Sequence, residues 1–121
     1  AAEGFTVLAG SGATYFSSLM LGAHGAILAV AGVAPELCVK IFTAVRDGRI
    51  DEARAMHRQL APLSKLVGAT YGVPGHKAAL TLLGFDGGLP RPPLQPVGQP
   101  ALDVIREQLQ KLGLFDTVPA R

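Results

Sequence analysis

The side chains best suited to nucleophilic or acid–base work are few in this 121-residue chain: Lys40, Lys65, Lys77 and Lys111, His24, His57 and His76, the single Cys38, and Tyr15 and Tyr71. A lysine becomes a nucleophile when its amine is desolvated. All four lysines fall in helical patterns, where solvated faces with buried stems are the plain expectation. The histidines share no i, i+4 spacing and have no nearby carboxylate or thiol partner, so their pattern does not point to a metal site. His24 sits in a loop and reads as structural; His57 and His76 read as solvated helix positions. Cys38 has no paired histidine and reads as a small core residue. Tyr15 and Tyr71 are expected to pack in the core. The most suggestive local feature is Gly10-Ser11-Gly12, between an apolar run and a helix, where backbone N–H groups can face an anion. The dinucleotide fingerprint needs a third glycine at fixed spacing, and position 15 is Tyr15, so nucleotide binding is rejected. Two readings stay open: a substrate-facing rim, or a tight turn with Ser11 capping the helix.

The elements that position these residues are organised around residues 5–33. Thr6–Ala9 is a short apolar run stopped by Gly10. Ala13–Leu21 carries Phe16, Leu19 and Met20 at helical spacing, and Gly22 to Gly25 breaks it. Ala26–Val30 is a second apolar run without polar alternation, as in strands buried on both faces. The order predicts one βαβ unit with two parallel strands and a right-handed crossover. Pro35 suits a first helical position, and Asp47-Gly48 ends that helix. A second helix is predicted over 51–67, kinked at Pro62, with a break over 68–72. Pro74 is expected to start a helix over 75–83, followed by a Pro/Gly-rich surface loop over 85–99 with partly polyproline-like backbone. The last helix is predicted from Pro100 or Ala101 to Leu112, with Leu102, Ile105, Leu109 and Leu112 as its apolar stripe.

The composition bounds the function. The chain is 49% hydrophobic with net charge +2, enough for one core and one domain at most. Its basic residues are scattered, whereas a nucleic-acid surface needs them clustered. One cysteine excludes an internal disulfide and fits a reducing compartment. No signal-like start and no apolar run of about 18 residues is present, so a soluble cytoplasmic protein without a membrane partner is expected. The opening Ala1-Ala2-Glu3-Gly4 reads like the tail of a helix running into a strand, as in the C-terminal piece of a longer α/β chain.

The stretch from Val7 to Leu37, VLAGSGATYFSSLMLGAHGAILAVAGVAPEL, resembles the last two barrel strands of the pyruvate-dependent class I aldolases, the dihydrodipicolinate synthase and N-acetylneuraminate lyase family. GRIDEARAMHRQLAPL resembles its first added C-terminal helix, and YGVPGHKAAL, GGLPRPPL and the closing Leu112-Gly113-Leu114 resemble its later landmarks. The likeness runs from Phe5 to Phe115 and rests on the order and spacing of five individually weak motifs. It implies the C-terminal portion of a (β/α)8 barrel, with residues 1–33 as its last βαβ unit and 34–121 as C-terminal helices of the same domain. A whole barrel needs about 250 residues. The resemblance further implies a carbon–carbon lyase or aldolase that joins or cleaves a 2-oxo acid (pyruvate) and an aldehyde through a Schiff base, with no cofactor. The Schiff-base lysine belongs to the family's sixth strand and the catalytic tyrosine to the preceding one. Neither strand is matched here, so no catalytic residue is expected in this chain, and the chain alone should be inactive. Substrate-binding positions implied are Gly10 and Ser11 at the catalytic face, Ile27, whose backbone matches a position facing the pyruvate carboxylate, and Gly32, where a missing side chain leaves room. Ile27's side chain reads as barrel core. Ser11-Gly12 stands where dihydrodipicolinate synthases tend to carry an acidic pair, and resembles the 4-hydroxy-2-oxoglutarate aldolase branch. The expected partners are a homo-oligomer (a tetramer in the family) or the missing N-terminal barrel segment. The competing class is a non-catalytic, helix-rich interaction module.

Overall fold

The computed structural model describes residues 3–116; Ala1 and Ala2 of the expected helix tail lie outside them. The chain divides into two compact units, one ending at Ala61 and the other starting at Pro62.

In the first unit, strand β1 (Leu8–Ala9) leads through a 3-10 turn (Gly12–Thr14) into helix α1 (Tyr15–Met20). Strand β2 (Gly25–Ala26) follows, then a second 3-10 turn (Ala29–Gly32), helix α2 (Pro35–Arg46) and the start of helix α3 (Ile50–Lys65). The strands pair in parallel, Leu8 with Gly25 and Ala9 with Ala26, as a βαβ unit requires. Backbone bonds extend the pairing at both ends: His24 N–H donates to the Val7 carbonyl at 2.8 Å and Ile27 N–H to the Ala9 carbonyl at 2.9 Å.

Both strands are shorter than the expected 6–9 and 26–30. Leu28 keeps an extended backbone, but Val33 and Ala34 N–H both turn back to the Val30 carbonyl. With no further strand beside β2 among the described residues, these groups find partners locally. The core lies between α1 and α2: Leu19, Val33, Ala34, Ile41 and Ala44 are buried. Pro35 occupies the first turn of α2, where its missing N–H costs nothing, and Gly48, with φ +77°, ends it as a left-handed cap does.

The second unit contains a π-helical turn (Leu66–Thr70), helix α4 (Gly72–Leu82), helix α5 (Gln99–Lys111) and a last 3-10 turn (Leu114–Asp116). The expected break over 68–72 is instead this turn, closed by Tyr71 N–H on the Leu66 carbonyl at 3.0 Å; an i→i−5 bond absorbs an extra residue without ending the helix. Helix α4 starts before Pro74. This is possible because a proline in a first turn has no intrahelical bond to lose. Pro62 lies inside α3, which runs continuously to Lys65. Ile105 and Leu109 of α5 are fully buried together with Leu63 of α3.

The Pro-rich loop is not simply draped outside. Gly87 is buried, Lys77 Nζ donates to its carbonyl at 2.9 Å, and a Cβ added there would collide with the Lys77 carbonyl oxygen. Only glycine lets the loop backbone approach α4 this closely.

Candidate functional site

The carboxyl ends of parallel strands are where α/β folds build their sites. Here the parallel register brings the ends of β1 and β2 level, and the Ile27 N–H to Ala9 carbonyl bond ties the two exits together. Gly10 and Ser11 therefore leave β1 beside Ile27 leaving β2. Gly10 and Ser11 are exposed, and nothing lies within 4 Å of where a Gly10 Cβ would stand. Ser11 is extended and caps nothing with its side chain, which corrects the capping expectation. Its carbonyl instead accepts from Thr14 Oγ1 at 3.5 Å. Gly12 behind it is buried. Ile27 is 75% exposed, not core as expected for its side chain, because no described strand covers the outer edge of β2. Gly32 sits farther along, exposed, at the end of the second 3-10 turn. The structure thus joins Gly10, Ser11 and Ile27 at one rim and sets Gly32 five residues beyond.

Two buried titratable side chains of the first unit, Tyr15 and Cys38, are ill suited to proton transfer at neutral pH. Tyr15 is buried, and its hydroxyl donates to the Cys38 carbonyl at 3.0 Å. Burial first, and then the neighbouring Cys38, pushes its pKa up to about 12. Burial also pushes the Cys38 thiol up to about 11, so the thiolate that would react is scarce. His24 lies at the opposite end of the sheet, where its Nδ1 accepts from Val7 N–H at 3.3 Å. His57 is not a solvated position: its ring packs on Phe16 with centroids 5.9 Å apart, and its Nδ1 is buried without a partner. Burial lowers its pKa, against a smaller raising effect of the Ala13 backbone. In the second unit His76 likewise has a buried, unpartnered Nδ1, and burial followed by the Lys77 charge lowers its pKa. The sequence could not signal these burials, because each depends on a packing neighbour distant in the chain or on a helix face.

Lys40, Lys65, Lys77 and Lys111 all stand on helices, in α2, α3, α4 and α5, so no lysine occupies either strand end. No cluster of three or more metal-binding side chains occurs among the described residues, and no described helix is long and apolar enough to cross a membrane.

A two-stranded parallel sheet with strand-end loops and trailing helices marks the first unit as an α/β protein. The chain belongs to the dihydrodipicolinate synthetase family, which it matches over residues 1–112. It is 36% identical over 114 residues to the 4-hydroxy-tetrahydrodipicolinate synthase of Methanopyrus kandleri, covering 93% of this chain and 38% of that protein. Among solved structures it is similar to the dihydrodipicolinate synthase of Thermotoga maritima, with TM-score 0.83 and 34% identity over 91% of this chain and 37% of that one. It is also similar to an Escherichia coli K12 prophage protein of the dihydrodipicolinic acid synthase family, solved in complex with pyruvate, with TM-score 0.77 and 30% identity over 91% of this chain and 38% of that one. The chain spans under two fifths of the length of these relatives. Its fold is the last two parallel strands and the C-terminal helices of a (β/α)8 barrel.

Proposed function

We propose that this chain supplies the closing portion of a Schiff-base-forming, pyruvate-dependent aldolase or lyase, which condenses a 2-oxo acid with an aldehyde or cleaves the product. The observation that carries the reading is the level pair of strand ends, with Gly10, Ser11 and Ile27 at one exposed rim tied by the Ile27–Ala9 bond. Backbone at Gly10 and Ile27 faces the substrate, Ser11 contributes a hydroxyl, and Gly32 leaves space beside the rim. The reactive amine comes from a preceding barrel segment, since a Schiff-base lysine belongs at a strand end and the lysines here stand on helices. Residues 1–33 act as the last βαβ unit and 34–121 as helices of the same domain. The finished enzyme is a homo-oligomer, and the lone buried thiol of this chain suits the reducing cytoplasm.

Two acceptor aldehydes compete. The relatives' names favour 4-hydroxy-tetrahydrodipicolinate synthesis, whereas Ser11-Gly12 in place of an acidic pair favours a 4-hydroxy-2-oxoglutarate aldolase-like branch.

Borohydride reduction with pyruvate tests the reading. The iminium forms from amine and ketone with loss of water, and hydride fixes it as a stable adduct. The 121-residue chain alone should keep its mass, and an adduct should appear on the completing segment when that is present. An adduct mapped to Lys40, Lys65, Lys77 or Lys111 would overturn the assignment. A completed barrel that neither traps pyruvate nor turns over a 2-oxo acid would leave the non-catalytic interaction module as the better reading.

A further inference from the structure

The second unit holds a cleft that the aldolase reading does not use. It lies between α4, the loop carrying Leu89 and Pro96, and Leu102 of α5, with a volume of about 270 Å³. That is near the low end of small-ligand pockets, which run from about 300 Å³. Its walls are mostly aliphatic. Leu89 stands at its rim, 77% exposed, with an apolar surface that gains from being covered.

One cation breaks this apolar surface. Lys77 lines the cleft, and the Gly87 carbonyl, 2.9 Å from Nζ, holds its amine in place. An ammonium has three donors, and this bond uses one. No described carboxylate lies within ion-pair distance of Lys77. The nearby Asp86 is turned into its own loop, accepting from Gly88 N–H at 3.2 Å. A fixed ammonium with spare donors beside an aliphatic slot is complementary to a carboxylate that bears an aliphatic tail.

We propose that this cleft is a binding site for a medium-chain aliphatic carboxylate, the acid group on Lys77 Nζ and the tail along Leu82, Leu89 and Leu102. Charge complementarity selects the acid over the corresponding alcohol, and the slot selects a tail over a short dicarboxylate.

Titration calorimetry with octanoate on the whole chain, in whatever assembly it adopts, tests this. Octanoate should bind, and octanol and succinate should each bind about tenfold more weakly or worse. Lys77→Met should lower octanoate affinity about tenfold or more, and Lys77→Arg, which keeps the charge, should recover most of it. Leu102→Trp, which fills the slot without touching the amine, should abolish binding. Circular dichroism checks that each variant stays folded; if Lys77→Met does not fold, the octanol comparison and Leu102→Trp decide. Failure of octanoate to bind, equal affinity for octanol, or undiminished octanoate affinity in folded Lys77→Met or folded Leu102→Trp would overturn the proposal. None of these readouts requires aldolase activity, so the site stands or falls apart from the catalytic reading.

Discussion

At the scale of the residue, the buried ionisable groups set the pH limits of the fold. Tyr15 and Cys38 have raised pKa values, about 12 and about 11, so the unfolded chain releases their protons first as pH climbs. Their stabilisation is therefore complete below their ordinary values of 10.0 and 9.0 and is lost through the folded ones. The thermal midpoint should fall between about pH 9 and 12, and in Cys38→Ala/Tyr15→Phe the fall should flatten. Tyr15→Phe alone should also cost roughly 0.5–1.5 kcal/mol at neutral pH, because it removes the hydroxyl's bond to the Cys38 carbonyl, which lies within helix α2. His57 and His76 work in the opposite direction. Their pKa values are lowered, so they favour the fold above their ordinary value and destabilise it as pH falls below about 6.5. Replacing both with Gln should blunt the acid limb of a midpoint-versus-pH series; an unchanged limb would assign it to the carboxylates. The inert Cys38 was legible in its lack of a partner. The burial of His57 was not, because it rests on Phe16, 41 positions away by numbering.

At the scale of the element, apolar periodicity carried most of the fold. The 102, 105 and 109 stripe marked α5, and Pro35 with Gly48 bracketed α2 within a residue or so. What could not be read was where backbone bonds go when a neighbour is absent or an extra residue intrudes. Glycines at 68 and 72 signalled a break, yet i→i−5 bonding keeps residues 66–70 helical. Likewise an apolar 26–30 signalled a strand, yet the chain folds back on Val30. The loop's attachment through Gly87 was equally silent, since a glycine needed for close approach looks like any loop glycine. Gly87→Ala should destabilise the second unit by about 1–3 kcal/mol through collision with the Lys77 carbonyl. Denaturant unfolding measures it, and a neutral result would mean that the loop moves freely off α4.

At the scale of the whole molecule, the candidate rim was partly legible. A βαβ order already places two strand ends side by side; that Gly10, Ser11 and Ile27 belong to one site is what the family resemblance implies. The exposure of Ile27 reflects the two-stranded sheet, which has no further strand beside β2 among the described residues. Leu8, 49% exposed, and Ile27, 75% exposed, stand where further strands would pair. The purified chain should therefore self-associate or require a partner segment; light scattering showing a cooperatively unfolding monomer would sink this expectation. The brevity of the β1–β2 ladder also dictates a timetable. Helices α2 and α3 lie next to each other in sequence, as do the π turn and α4, and such local structure forms fast. On the barrel reading proposed above, these sheet edges pair with a further segment, so these 121 residues refolding by themselves would wait with their helices built and their seam open. During that wait the open strand edges, not the helices, govern the competition between assembly and aggregation, so refolding yield should follow how soon the complementary segment is encountered.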